Sequence, residues 1–211
     1  MSDSTDCRLY LITPPLLDDP KDFATRLPEI VGAGDVACLQ LRLKGVDDDE
    51  ILRCIDLLLP ICVQTDTALI LNDRPDLAVK SGCDGVHVGP DDTPYPEARA
   101  IMGDDASVGV SCGPSRHLAM RLADDGADYV AFGAFFETTT KQNTDLANIE
   151  VLEIWSQTTN VPAVAIGGIT PDNCRPLISA GADFLAVSSG VWNHPDGPKS
   201  AVRLFSERIA E

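Results

Sequence analysis

The sequence predicts an α/β protein in which eight strand–helix units close into one (βα)8 barrel of the TIM type. Short apolar runs, each long enough for a buried strand, alternate with segments of helical composition along the chain. A mark consisting of a helix-ending glycine, a short turn and an apolar strand recurs at Gly34, Gly82, Gly126 and Gly181. The marks are about 45–55 residues apart, which is room for two strand–helix pairs between successive marks.

The strands are apolar on both faces, as expected of a parallel sheet covered by helices. They are predicted at Leu9–Ile12, Ala68–Leu71, Gly85–Val88, Ser107–Val110 and Val161–Ile166, with three more that begin at Val36, Tyr129 and Phe184. The helices are predicted at Asp22–Ala33, Asp47–Gln64, Arg74–Ser81, Pro94–Met102, Ser115–Asp125, Ile149–Gln157, Pro171–Ala180 and Pro198–Ala210. Because no linker interrupts this pattern, residues 1–211 are predicted to form one domain, with 1–6 as a flexible N-terminus.

Composition narrows the class of protein. The formal net charge of −17 argues against a nucleic-acid partner, which would need a basic face. No apolar run is long enough to cross a bilayer, and the first residues are polar and acidic, unlike a secretory signal. The seven cysteines lack any C-x-x-C spacing, which predicts a cytoplasmic protein without a disulfide framework or zinc site.

Polar residues follow the third and fourth predicted strands. Asn72 and Asp73 come after the first of these, and Asp91 and Asp92 come after the second. The carboxyl ends of parallel strands meet at one face, where a barrel carries its active site. Carboxylates brought together there repel each other unless a cation or a proton intervenes. Hard oxygen ligands at this face predict a Mg²⁺ site.

Cations and small residues follow other strands. Gln40, Arg42 and Lys44 alternate, so on a strand they would point to one side, toward the barrel axis. The loop Thr138–Lys141 offers hydroxyls and an ammonium group, and the pairs Gly167-Gly168 and Ser188-Ser189 follow strands seven and eight, where barrels commonly hold a phosphate. Together these groups predict two anion sites.

The histidines are not predicted to be catalytic. His87 lies within a strand, His117 on a helix and His194 in a late loop. Strand five is predicted to end at Ser111, and Ser111-Cys112 has no histidine beside it in the sequence. Nucleophilic catalysis by a Ser–His or Cys–His pair is therefore not supported.

From Leu9 to about Gly190 the chain resembles the thiamine phosphate synthase family. No single motif is decisive, but their order and spacing are specific. The motifs are Gln40-x-Arg42-x-Lys44, Leu71-Asn72-Asp73-Arg74, Gly85-Val86-His87-Val88-Gly89 with Asp92, Gly109-Val110-Ser111, Thr138-x-Thr140-Lys141, Ala165-Ile166-Gly167-Gly168-Ile169 and Val187-Ser188-Ser189.

The resemblance implies an enzyme that joins a pyrimidine diphosphate to a thiazole phosphate and releases pyrophosphate. It implies that Asp73 and Asp92 hold Mg²⁺. It assigns the pyrimidine diphosphate to Gln40, Arg42, Lys44, Asn72, Ser111 and Lys141, and among these catalysis to Arg42, Lys44, Ser111 and Lys141. It assigns the thiazole phosphate to Thr138, Thr140, Gly168, Ser188 and Ser189. The sequence leaves the oligomeric state open, with a homodimer among the alternatives, and no nucleic-acid or membrane partner is expected.

Three positions depart from the family pattern. Glu137 stands where a neutral residue is expected, Gly113 where a histidine is common, and Ser188 where an aliphatic residue is expected. The closest alternative is a thiazole tautomerase on the same barrel, which Gly113 disfavours. A phosphosugar aldolase would need a Schiff-base lysine on a strand, whereas Lys44 and Lys141 lie near or in loops. A barrel that only binds a phosphorylated ligand is the non-enzymatic alternative.

Overall fold

The structure, a computed structural model, describes residues 7–137 and 146–211. Eight parallel strands close into a barrel in sequence order, with β1 paired to both β2 and β8, so the predicted fold is confirmed. The strands are β1 Arg8–Ile12, β2 Val36–Leu41, β3 Ala68–Asn72, β4 Gly85–Val88, β5 Ser107–Gly113, β6 Tyr129–Phe132, β7 Ala163–Ile166 and β8 Phe184–Val187. That the whole of 1–211 forms one domain, with a flexible 1–6, stays a prediction because residues 1–6 and 138–145 lie outside the described part.

Helices cover the outside of the barrel. They are α1 Pro20–Val31, α2 Asp48–Gln64, α3 Pro75–Ser81, α4 Tyr95–Met102, α5 Arg116–Asp124, α6 Glu150–Thr158, α7 Arg175–Ser179, α8 Ser189–Trp192 and α9 Pro198–Ala210. Within the described residues, the short α8 is one more helix than predicted. Helix α7 is shorter than the predicted Pro171–Ala180, because Asn173 Oδ1 accepts the Thr170 N–H at 2.8 Å and closes a turn ahead of the helix.

The core has two layers that follow from the alternation of side chains along each strand. The outer layer packs the strands against the helices and contains fully buried residues such as Leu9, Leu39 and Phe205. The inner layer fills the barrel and is built around Tyr10 and Tyr129. The remaining buried members of this inner layer are Ile12, Cys38, Ile70, Ala131, Val164 and Ala186.

Three of the four glycine marks, at Gly82, Gly126 and Gly181, are explained by the residues that follow them. Asp183, immediately before β8, accepts the Ala163 N–H of β7 at 2.7 Å. Asp84, immediately before β4, accepts the Leu69 N–H of β3 at 2.7 Å, and Asp128 makes the same contact between β6 and β5. Each of these carboxylates therefore ties an even-numbered strand to the strand before it at the face opposite the predicted site.

All seven cysteines are buried and carry free thiols. Burial raises the pKa of Cys54 and of Cys83 to about 11, and that of Cys62 to about 12. These thiols therefore stay protonated at neutral pH and behave as small apolar side chains. Among the described residues, no helix is long and apolar enough to cross a bilayer.

Candidate active site

The segment after β2 brings two cations to the mouth of the barrel, by a route that differs from the prediction. Strand β2 ends at Leu41, so Gln40 lies on the strand but Arg42 and Lys44 do not. The backbone leaves the sheet after Leu41 because the Arg42 N–H donates to Thr13 Oγ1 at 3.0 Å instead of to a neighbouring strand. The expectation that alternation along one strand points all three side chains at the barrel axis is therefore wrong. Gln40 is buried in the barrel, Arg42 is half-buried above it, and Lys44 is exposed.

Lys44, Asp73 and Asp92 form a charged cluster at the ends of β2, β3 and β4. The Lys44 ammonium lies 2.8 Å from Asp73 Oδ2. The carboxyl groups of Asp73 and Asp92 are close enough to share a hydrogen bond, and Asp92 Oδ2 also accepts the Gly89 N–H at 2.8 Å. The two carboxylates that the sequence places after separate strands are therefore side by side.

The two carboxyl groups titrate in opposite directions. Burial and the adjacent carboxylate of Asp73 raise the pKa of Asp92. Burial also raises the pKa of Asp73, but hydrogen bonds from Lys44 and Asp92 outweigh it, so the net shift of the Asp73 pKa is downward. Asp73 has a backbone φ of 67°, in the left-handed region that costs a non-glycine residue about 1 kcal/mol or more. The Asp73 carboxylate is therefore held beside Lys44 and Asp92 by a residue in a strained backbone conformation.

The other predicted residues on this side lie around the cluster. Asn72 is the last residue of β3 and is half-buried, next to His87 in the ladder. Asp91 is exposed, so of the two adjacent carboxylates only Asp92 is engaged with Asp73. Arg74 forms ion pairs with Asp48 and, at 2.8 Å, with Asp76, and so stabilises the start of α3.

Ser111 does have a histidine beside it, which corrects the prediction. His87 Nε2 lies 2.8 Å from Ser111 Oγ, and His87 Nδ1 lies 3.1 Å from the hydroxyl of Tyr129. Strand β5 extends to Gly113 instead of ending at Ser111, and both His87 and Ser111 face the barrel interior. Side chains alternate along β4, so the apolar Val86 and Val88 face the helices and His87 faces the barrel interior. This alternation in the sequence could have predicted that His87 points inward.

A second group of predicted residues lies at the ends of β7 and β8. Gly168 has φ 64°, and a Cβ at this position would lie 2.4 Å from the Glu137 carbonyl oxygen. This close approach requires glycine and packs Gly168 against the protein's own backbone instead of opening it on that side to a ligand. Ser188 donates from Oγ to the Thr13 carbonyl at 3.3 Å, and Ser189 begins α8. Thr138, Thr140 and Lys141 lie outside the described residues.

The paired carboxylates suit a hard divalent cation. They provide oxygen donors, which Mg²⁺ prefers, and crowding them at a half-buried position is costly without a positive charge. The Lys44 ammonium, 2.8 Å from Asp73 Oδ2, supplies part of this positive charge. In residues 7–137 and 146–211, no group of three or more His, Cys, Asp or Glu side chains is arranged to hold a metal ion. The fit therefore rests on two protein carboxylates, with the remaining positions left to a substrate or water.

The fold and these side chains define a (βα)8 barrel protein with a charged site at the carboxyl ends of its strands. The family model described as thiamine monophosphate synthase matches residues 9–191. The thiamine-phosphate synthase of Rhodospirillum centenum is 59% identical over 202 residues, which cover 96% of this chain and 97% of that protein. That of Hyphomonas neptunium is 52% identical over 203 residues, covering 94% and 92%. The chain belongs to the thiamine monophosphate synthase family.

A solved structure agrees. Thiamine phosphate pyrophosphorylase from Pyrococcus furiosus superposes with a TM-score of 0.85 at 28% identity, covering 98% of this chain and 96% of that one. The family predicted from the strand-end motifs is therefore confirmed.

Proposed function

We propose that the chain is a Mg²⁺-dependent thiamine-phosphate synthase. It would couple 4-amino-2-methyl-5-(diphosphooxymethyl)pyrimidine with a thiazole phosphate to give thiamine phosphate and pyrophosphate. The observation that carries this proposal is the Asp73–Asp92 carboxylate pair, bridged to Lys44 and next to Arg42, in a chain 59% identical to a thiamine-phosphate synthase. An anionic pair beside two cations suits a substrate whose diphosphate arrives with a metal ion.

The pyrimidine diphosphate is assigned to the β2–β5 side of the mouth. Arg42 and Lys44 would bind the diphosphate, and Lys141 would add a third cation from the segment outside the described residues. Gln40, Asn72 and Ser111 lie at or just inside the rim, on strands β2, β3 and β5, where the ring would enter. This arrangement places the cations at the leaving group and the uncharged polar groups at the ring.

Asp73 and Asp92 would hold Mg²⁺. When bound, the ion neutralises charge on the departing pyrophosphate. Lys44 is already bonded to Asp73 at 2.8 Å, so its ammonium is within reach of a diphosphate that sits on the same carboxylates. Arg42 and Lys44 would stabilise the leaving group as the bond to the pyrimidine methylene carbon breaks.

The reaction needs no general base, because the attacking thiazole nitrogen carries no proton. The substitution is dissociative: the bond to pyrophosphate breaks first, and the thiazole nitrogen then forms a bond to the pyrimidine carbocation. The apolar side chains that fill the barrel beneath the site exclude water from that cation. His87 beside Ser111 does not imply a hydrolase, because His87 Nδ1 is paired with the Tyr129 phenol instead of a carboxylate.

The thiazole phosphate is assigned to the β6–β8 side. Thr138 and Thr140, together with the backbone at Gly168 and at Ser188-Ser189, would bind the phosphate, as barrels commonly do after strands seven and eight. The protein is inferred to be cytoplasmic. The tautomerase alternative is disfavoured, because Gly113 stands at the end of β5, where that enzyme relies on histidine.

The test is pyrophosphate release. We expect release when the protein, both substrates and Mg²⁺ are present, and no release when either substrate is omitted or the ion is chelated. Isomerisation of the thiazole ring without pyrophosphate release would assign the chain to the tautomerase instead. Binding of the phosphorylated substrates without any turnover would favour the ligand-binding alternative.

A further inference from the structure

Five side chains from five strands form a continuous hydrogen-bonded chain across the barrel. Gln40 Nε2 lies 2.8 Å from the Tyr10 hydroxyl, which lies 2.9 Å from that of Tyr129. The Tyr129 hydroxyl lies 3.1 Å from His87 Nδ1, and His87 Nε2 lies 2.8 Å from Ser111 Oγ. Gln40, Tyr10, Tyr129 and His87 are all buried, with side chains at most 9% exposed. The chain therefore connects two residues assigned to the pyrimidine, one at each end.

Chemistry sets the direction of this chain. An amide nitrogen only donates, so the Tyr10 oxygen accepts from Gln40; because a buried O–H needs an acceptor, we assign the Tyr10 O–H to the Tyr129 oxygen. Tyr129 then accepts from Tyr10 and donates to His87 Nδ1. A ring nitrogen that accepts carries no proton, so the His87 proton lies on Nε2 and is donated to Ser111 Oγ. The Ser111 oxygen accepts this bond, which leaves its O–H to donate elsewhere.

Burial and packing hold the hydrogen-bonded chain in this form. Burial raises the pKa of Tyr10 and of Tyr129, so each phenol keeps the single O–H that the direction requires. The Tyr129 ring lies against Gly109, where a Cβ would come within 1.8 Å of the ring, and it stacks on His87 with the ring planes 19° apart. The absence of a side chain at Gly109 therefore lets Tyr129 reach both neighbours.

We propose that Tyr10, Tyr129 and His87 are positioning residues that fix opposite polarities at the two ends of the chain. Ser111 presents a hydrogen-bond donor to the substrate. Gln40, whose amide nitrogen is engaged with Tyr10, presents its carbonyl oxygen as an acceptor. The ring that fits has a nitrogen lone pair on the Ser111 side and an N–H group on the Gln40 side, as an aminopyrimidine has. This inference rests on the proposed function, because it takes Gln40 and Ser111 as the groups that meet the pyrimidine.

The kinetic test removes one hydroxyl from the middle of the chain. We expect Tyr129→Phe to raise the KM for the pyrimidine diphosphate about tenfold, the loss of roughly one hydrogen bond, while the KM for the thiazole phosphate stays within about twofold. The matched control is Tyr95→Phe, which deletes the hydroxyl of another buried tyrosine, at the start of α4, that lies 3.4 Å from Arg99. The control should match the parent. Equal KM values for Tyr129→Phe and the parent would overturn the proposal.

A double mutant separates positioning from general damage to the fold. If Tyr129 acts through Ser111, adding Tyr129→Phe to Ser111→Ala should cost little beyond Ser111→Ala alone. Additive losses would mean that Tyr129 acts independently of Ser111, which would contradict the proposed link from Tyr129 through His87 to Ser111.

A second measurement needs no turnover. Nitrogen-15 NMR of histidine-labelled protein, with His87 assigned by the loss of its signals in His87→Gln, reports which ring nitrogen carries the proton. We expect the proton on Nε2 only. A proton on Nδ1, or on both nitrogens, would overturn the direction of the chain. A parent protein that releases no pyrophosphate would instead refute the proposed function. The NMR result would still show whether the hydrogen bonds run in the proposed direction.

Discussion

At the scale of residues, the proposed metal ligands differ from their neighbours in what they touch. Asp92 accepts the Gly89 N–H and meets Asp73, whereas Asp91, one position earlier, is exposed. The sequence placed both carboxylates after the same strand and could not separate them by chemistry. The turn at Gly89, which folds Asp92 back toward β3, gives the physical reason for the choice of Asp92 that the family resemblance implies.

Substitution of Asp92 by asparagine tests the metal assignment. An asparagine oxygen can still accept the Gly89 N–H, so we expect the Asp92→Asn protein to fold with little change in stability. Loss of the ligand charge should lower Mg²⁺-dependent pyrophosphate release about 100-fold. Asp91→Asn is the matched control and should leave release unchanged. Release at the parent's rate from Asp92→Asn would show that this carboxylate holds no metal.

Glu137 tests the second anion site. Its carboxylate is exposed and its carbonyl oxygen lies against Gly168, so Glu137→Ala removes a negative charge near the site but keeps the backbone contact. We expect the KM for the thiazole phosphate to fall about two- to fivefold at low ionic strength and to approach the parent's value in high salt. The control is Glu153→Ala, an exposed carboxylate on α6. An unchanged or raised KM would mean that the Glu137 side chain points away from the phosphate or helps to bind it.

At the scale of elements, strand boundaries explain the errors of the sequence prediction. The alternation of Gln40, Arg42 and Lys44 looked like a strand, but Thr13 and Pro15 accept the N–H groups of Arg42 and Lys44 and pull this segment out of the sheet. Both acceptors lie beyond the end of β1, so the signal was not local in sequence.

The carboxylates that precede β4, β6 and β8 lead to a prediction about stability. Asp183→Ala would leave the Ala163 N–H without its acceptor at 2.7 Å, and we expect it to lower the free energy of unfolding by about 1–3 kcal/mol. Asp172→Ala, an exposed carboxylate before α7, is the control and should change it by less than about 0.5 kcal/mol. Urea unfolding at neutral pH measures both. Equal stability of the two variants would show that the Asp183 contact contributes nothing to the barrel.

At the scale of the whole molecule, the buried thiols predict how stability depends on pH. Burial raises the pKa of Cys54 and Cys83 from 9.0 to about 11, and of Cys7, Cys62 and Cys112 to about 12. In the unfolded chain these thiols ionise from about pH 9, whereas in the folded protein they do not. The stabilisation is therefore complete below pH 9 and is lost as the pH rises toward 11–12, by about 1.4 kcal/mol per pH unit for each thiol.

Urea unfolding at pH 8, 9 and 10 measures this slope. The matched control is Cys83→Ala, which keeps the site apolar but removes one ionisable group. We expect the free energy of unfolding of this variant to fall less steeply above pH 9, by about the contribution of one thiol. The same slope in both proteins would contradict the assignment of the pH dependence to buried thiols.

Local patterns in the sequence are enough to predict the architecture and the family. Alternating apolar runs and helices, together with the recurrent glycine marks, are local signals, and hydrophobic burial turns them into a closed barrel whatever the details of its loops. The order of the strand-end motifs is sufficient to predict the thiamine monophosphate synthase family, whose model matches residues 9–191.

Which polar groups meet across the barrel depends on the tertiary fold and cannot be read from local patterns. Gln40, Tyr10, Tyr129, His87 and Ser111 come from five strands and are separated by up to 119 residues between bonded neighbours. Their hydrogen bonds exist because barrel closure sets the register of every strand against the next, and because Gly109 leaves room for a ring. A pattern along the chain reports which side of a strand a residue faces, but the contacts across the barrel depend on closure.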